Sequence, residues 1–200
     1  MHHKYKLVPE VPARFGAVQL SKRINSDRKF AVDVEFTLRS DPDKSHGFVI
    51  MLSAEPAAFP DDFHPATAIR PDYKGLGIFI YRSETKGRWF IVSLQNNGLV
   101  SIVRTRDLDS LISQKNSCDF EMMSGARSGV RVKILYDYIY IEKKEDGGSS
   151  YTRCLTAQIR DPYFHYLSVA AGNKDDDNRT SDIDLDAIKV TNMDPAAYTD

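Results

Sequence analysis

Asp182, Asp184 and Asp186 form the sequence's most chemically suggestive group, three carboxylates at alternate positions of Asp182-Ile183-Asp184-Leu185-Asp186. Alternate residues of a strand share a face. Neighbouring acids could therefore approach the roughly 5 Å separation at which a glycosidase pairs an acid with a nucleophile. A solvated sheet face explains the pattern equally well. Two further acidic groups, Asp107 with Asp109 and the run Asp175-Asp176-Asp177, could contribute oxygens to a calcium ion, although acids on polar loops are ordinarily hydrated tips. Asn178-Arg179-Thr180 is the one N-glycosylation sequon, on a polar loop as modification requires. The five histidines are scattered, and there is no zinc-spaced Cys/His set, phosphate-binding loop or nucleophile elbow.

Cys118 and Cys154 are the only cysteines. They read either as two small buried thiols or as a bridge, which would tie together the two sides of an intervening hairpin. The 27 basic and 28 acidic residues nearly cancel, so the overall field does not draw the chain to nucleic acid or acidic lipid. No apolar run approaches the length of a membrane-spanning helix.

The elements that must position these residues are strands. In Phe30 to Leu38, Phe30, Val32, Val34, Phe36 and Leu38 fall on one face and Asp33, Glu35 and Thr37 on the other, which is period two. Gly47 to Leu52 is apolar on both faces, as a central strand would be. Leu76–Arg82, Trp89–Leu94, Leu99–Val103, Gly129–Leu135, Tyr138–Lys143, Tyr151–Ile159, Tyr163–Ala171 and Ile183–Val190 read as further strands. Asn96-Asn97-Gly98 is a hairpin-turn signal, and the prolines between Glu55 and Asp72 break regular structure. Thr105 to Ser117 reads as a polar loop. About ten short strands with regular turns predict one antiparallel sandwich or barrel over residues 1–192, with 193–200 as a departing tail. Two hundred residues suffice for a single core.

Four segments in order resemble the L-type, legume-lectin-like domain of luminal lectins that cycle between endoplasmic reticulum and Golgi. Tyr73-Lys74-Gly75-Leu76-Gly77-Ile78-Phe79-Ile80 resembles the family's Gly-x-Gly-aliphatic-Phe strand, and Gln95-Asn96-Asn97-Gly98 its Asn-Asp/Asn-Gly turn. Ser117-Cys118 with Val130 to Tyr136 is similar to the family's Cys, basic strand and Tyr. Tyr163 to Gly172 resembles the strand that leads into the sugar-binding loop. The resemblance covers Phe30 to Val190, with a weaker likeness at Phe15 to Leu20. It implies an all-β antiparallel sandwich of the legume-lectin, concanavalin-like jelly-roll type, a Cys118–Cys154 disulfide, and a non-catalytic domain in the secretory lumen. Its partners would be glycans or glycoprotein cargo, with no nucleic acid, and a membrane tether would come from segments outside residues 1–200.

The site residues depart from the family's pattern. His46 stands where the mannose-binding members carry an Asp, and a neutral imidazole accepts one hydrogen bond where a carboxylate accepts several. A surface-loop histidine is the plainer reading. Tyr81 and Arg82 stand where the resemblance implies a calcium-binding carboxylate, followed by Glu84 and Thr85, so calcium is disfavoured and no cofactor is expected. The candidate ligand contacts that remain are His46, Asn97 and the backbone of Gly172 and Asn173. A metal-independent protein-interaction domain is the second reading. A hydrolase using Asp182, Asp184 and Asp186 stands third, because glycosidases on this fold carry Glu flanked by aromatic subsites.

Overall fold

The computed structural model describes residues 4–11, 14–21, 23–24, 29–56, 73–98, 105–113, 115–145, 147–161, 164–173 and 180–193. They form twelve strands: β1 (Tyr5–Val8), β2 (Phe15–Gln19), β3 (Lys29–Leu38), β4 (Gly47–Ser53), β5 (Lys74–Arg82), β6 (Trp89–Asn97), β7 (Ser117–Asp119), β8 (Arg127–Leu135), β9 (Tyr138–Lys144), β10 (Thr152–Gln158), β11 (Tyr166–Gly172) and β12 (Ile183–Asn192). A helix, α1, spans Thr105–Leu111, and a 3-10 turn spans Pro42–Lys44. The strands make two six-stranded antiparallel sheets, ordered β1-β12-β3-β8-β9-β10 and β2-β11-β4-β5-β6-β7.

The alternation in β3 places its five apolar side chains in the core between the sheets, where Phe36 meets Phe48 edge-on at 4.6 Å between ring centroids. Its other face carries Asp33, opposite Arg131 of β8 and ion-paired to it, and Glu35, which pairs with Arg127 and Lys144. The central strands β4 and β5 of the second sheet are buried on both faces, which is why β4 reads as an unbroken apolar run. Its outer face packs Val49, Met51, Phe79, Tyr81, Phe90 and Val92 into a second cluster with Leu108 of α1.

The Cys118–Cys154 bond joins β7 to β10, with Cα atoms 5.7 Å apart. These are edge strands of opposite sheets, so the bond clasps one side of the sandwich as well as spanning the β8–β9 hairpin. On the far side the two amino-terminal strands, β1 and β2, extend one sheet each.

Several expectations are corrected. Within the stretch expected as a loop, residues 105–111 are helical and Ser117–Asp119 forms a short edge strand. Strand β1 was not legible: its four residues, Tyr-Lys-Leu-Val, are too few to show a period. Asn96 and Asn97 belong to β6; Gly98 takes the positive φ (+85°), and its N–H donates to Asn96 Oδ1 at 3.1 Å. The expected strand at 99–103, most of the proline-rich loop, the Asp175–Asp177 run, the Asn178 sequon and residues 194–200 lie outside the described residues.

Candidate functional site

The antiparallel β4–β5 pair fixes two opposite ends of the second sheet. Gly47 lies against Tyr81 at one end, and Leu52 against Leu76 near the other. The nine residues of β5 separate these ends by roughly 25 Å. His46, Tyr81, Gly172 and Asn173 lie at the first, loop end, whereas Asn97, opposite Lys74, lies at the second. The four candidate contacts therefore do not share one site.

At the loop end His46 is buried, 3% exposed, rather than displayed on a surface loop. Its N–H and that of Gly47 donate to Ser181 Oγ at 2.9 and 3.2 Å, and its carbonyl accepts from Arg82 N–H at 3.0 Å. Gly47 has φ +129°, and a Cβ there would stand 2.1 Å from the Ile80 carbonyl oxygen, so only glycine lets β4 enter beside β5. Asn173, 1% exposed, spends its side chain internally. Nδ2 donates to the carbonyls of Pro9 (2.7 Å), Ser181 (2.9 Å) and Val11 (3.2 Å), while Oδ1 accepts from Ser181 N–H at 2.6 Å. That amide holds three chain segments together.

Tyr81 is fully buried, and its hydroxyl donates to Asp109 Oδ1 of α1 at 2.9 Å. Thr85 donates to Asp109 Oδ2 from its N–H (3.0 Å) and its hydroxyl (2.9 Å). Burial, reinforced by the Asp109 charge, pushes the Tyr81 phenol far above its usual range, so it remains a proton donor. One carboxylate thus closes the β5–β6 turn onto α1 with three protein hydrogen bonds. Arg82 beside it pairs with Asp43 at 3.1 Å. Asp109 has three of its acceptor directions filled by protein, and a guanidinium sits on the residue after Tyr81. The Asp107 side chain lies outside the described residues. Among the described residues no cluster of three or more His, Cys, Asp or Glu side chains is placed to hold a metal.

The alternating acids are neutralised in place. Lys6 Nζ lies 2.5 Å from Asp182 and 2.7 Å from Asp184, Arg39 Nε lies 2.9 Å from Asp184, and Lys4 Nζ lies 3.0 Å from Asp186. Thr37 Oγ1 donates to Asp186 at 2.6 Å. Burial alone would raise the Asp184 carboxyl, but its hydrogen bonds and ion pairs with Lys6 and Arg39 outweigh that and hold it below the usual range. The register slips between Leu185 and Ala187. This bulge turns Ile183 and Leu185, then Ile188 and Val190, toward the core. The change of phase in Ile-Asp-Leu-Asp-Ala-Ile-Lys-Val is the local signal of the bulge, after which the even-numbered positions turn inward.

At the opposite end a groove of about 740 Å³ opens between the sheets, lined in part by Lys74, Asn97, Gln158 and Arg160. Sequence reasoning found only Asn97 of this group. The run of three amides Gln95-Asn96-Asn97 at a strand end was the available signal for the rest.

No family model matches the sequence, and no curated protein matches it. Solved structures do. The exoplasmic/luminal domain of VIP36 in its calcium- and mannose-bound form superposes with a TM-score of 0.78 at 15% identity, over 94% of this chain and 77% of that one. The carbohydrate recognition domain of Emp47p gives 0.72 at 15% identity, covering 95% and 87%. A legume lectin-like domain from Entamoeba histolytica gives 0.69 at 15% identity, covering 94% and 84%. At this identity the likeness establishes the fold, a legume-lectin-type β-sandwich, as the sequence resemblance implied.

Proposed function

We propose that the chain is a non-catalytic, lectin-like binding domain of the early secretory lumen that recognises glycans or glycoprotein cargo without calcium. The observation that carries this reading is the sandwich itself, shared over nearly its whole length with carbohydrate recognition domains. The inter-sheet disulfide supports an oxidising compartment. The Tyr81–Asp109–Thr85 hydrogen bonds support the absence of a metal requirement, because they join the loops that the resemblance would have calcium organise. Residues 1–192 form the binding domain in this reading. The tail leads toward segments that tether it to a membrane.

A second reading, a protein-interaction domain on a lectin frame, draws on the burial of His46 and Asn173, which leaves those two side chains little to offer a sugar. Hydrolysis is disfavoured by the ion pairs that hold Asp182, Asp184 and Asp186. A glycan array run with and without chelator separates the readings. Chelator-insensitive glycan binding is the expected result. Chelator-sensitive binding, or micromolar stoichiometric calcium uptake by calorimetry, overturns the metal-free reading, and no glycan binding at all favours the protein partner.

A further inference from the structure

The open end of the sandwich brings polar and charged residues together around one groove. Gly75, in the lining, has φ +143°, and a Cβ there would lie 2.3 Å from the Leu52 carbonyl oxygen. Bare backbone therefore forms that part of the wall. Gln95 of β6 grips the turn after β10: its Oε1 accepts from Arg160 N–H at 2.8 Å, and its Nε2 donates to the Arg160 carbonyl. One amide thereby ties the second sheet to the first beside the opening. Buried Ile159 and Phe164 anchor the chain on either side of Arg160 and Asp161, and Asp161 takes a left-handed φ of +46°. The position of Arg160 is thus set by the fold.

Lys74, Asn97, Gln158, Arg160 and Asp161 line this groove, Gln158 through its backbone because Leu155, Ala157 and Ile159 take the core side of that chain, and among the described residues no ion pair or side-chain hydrogen bond engages Lys74, Asn97, Arg160 or Asp161. The contrast with the outer face of the first sheet is direct, since Arg127, Arg131, Lys133 and Lys144 there each hold a carboxylate. Among the described lining residues, Lys74 and Arg160 are two cations against the one carboxylate of Asp161.

We infer that this groove is a second binding site, for a saccharide carrying a single carboxylate or phosphate. Arg160 and Lys74 suit one anionic group, the guanidinium as a fork and the ammonium as a point charge. The amide of Asn97 offers donors and an acceptor to neighbouring hydroxyls, and Asp161 accepts from a hydroxyl. Asp161 also repels a second negative charge, which disfavours an acidic peptide or a nucleic acid. The volume lies in the range of roughly 300–1,000 Å³ that small ligands occupy.

The site lies at the far end of β5 from the loop end, so its test does not depend on glycan binding there. The wild-type chain is titrated by calorimetry and by chemical-shift mapping with glucuronic acid, N-acetylneuraminic acid, mannose 6-phosphate, and neutral glucose and mannose. The expected result is saturable binding of at least one acidic probe with no matching neutral binding. The carboxylate and phosphate arms show which anion is preferred. K74Q/R160Q should weaken that binding at least about tenfold, as loss of charge-assisted contacts requires, at an unchanged melting temperature. D109N, at the other end, should leave it intact. Absence of saturation by every acidic probe, equal binding of neutral sugars, or indifference to K74Q/R160Q overturns the inference.

Discussion

The two ends of the sandwich use similar polar residues to opposite purpose. At the loop end, Asn173, Ser181 and Asp109 are turned inward and their hydrogen-bonding capacity goes to backbone and buried hydroxyls. At the other end, among the described residues, the side chains of Asn97 and Arg160 make no ion pair or hydrogen bond, while Gln95 braces the turn after β10. A buried polar group costs free energy unless it is satisfied, so the closed end has to complete its network and the open end does not. Substitutions at the closed end should therefore cost stability, and substitutions at the open end should cost binding.

The sharpest break in that contrast is Asn173→Ala. It removes the amide partner of both the Ser181 N–H and the Ser181 carbonyl at a buried position. At about 1–3 kcal/mol for each buried group stranded, the loss should reach about 4 kcal/mol, read by chemical denaturation. A loss under about 1 kcal/mol would mean that water reaches the network.

Removing the Cys118–Cys154 bond comes next. Cys118 sits opposite Ile91, near the start of β6 and so nearer the closed end. Opening a loop with a sequence separation of 36 should cost about 2–4 kcal/mol. A paired C118S/C154S variant, melted beside the oxidised chain, checks it.

Asp109→Ala strands the buried Tyr81 hydroxyl and frees the β5–β6 turn, for a loss of about 2 kcal/mol. Added calcium should restore none of it. Recovery of the melting point with calcium would show that a metal shares the Asp109 position.

The acid strip gives the closed end a pH signature. Asp184 is held below the usual carboxylate range, so its contribution is complete above the ordinary value near 4 and fades as pH falls through its lowered one. Lys6 is shifted upward by Asp182 and Asp184 against the opposing effect of burial. Its contribution is complete below the ordinary lysine value and fades only as pH rises through the raised one. Melting temperatures from pH 6 to pH 2 should fall less steeply for Asp184→Asn than for the wild type.

How much of this was legible follows from the range of the signal. Strand β3 announces itself because five apolar residues alternate within one local segment. The β12 bulge was legible in principle, as a local change of phase. The pairing of Asp109 with Tyr81, 28 positions away, was not, because nothing local distinguishes a carboxylate that will meet a phenol from one that will meet water. His46 was misread for the same reason: polar flanks suggest exposure, but Ser181, 135 positions on, draws its backbone inward. The groove is the extreme case, assembled from the ends of β4, β5, β6, β10 and β11, so no single window of sequence contains it.

The smallest effect is expected from Gln95→Ala, which tests the open end on its own terms. Gln95 is exposed, so water can replace both of its hydrogen bonds to Arg160, and the net cost of losing them should stay within about 1 kcal/mol. The turn keeps its buried anchors at Ile159 and Phe164 and its hydrogen bond from Ile159 N–H to the Asp137 carbonyl at 2.8 Å. What the amide supplies is position, since without it Arg160 is fixed only through its chain neighbours. Amide hydrogen exchange at Arg160 should accelerate while the global melting temperature moves little, and acidic-sugar affinity should fall with the loosened geometry. A stability loss as large as that of Asn173→Ala would mean that the open end, too, is held shut by its polar groups, and the division between the two ends would fail.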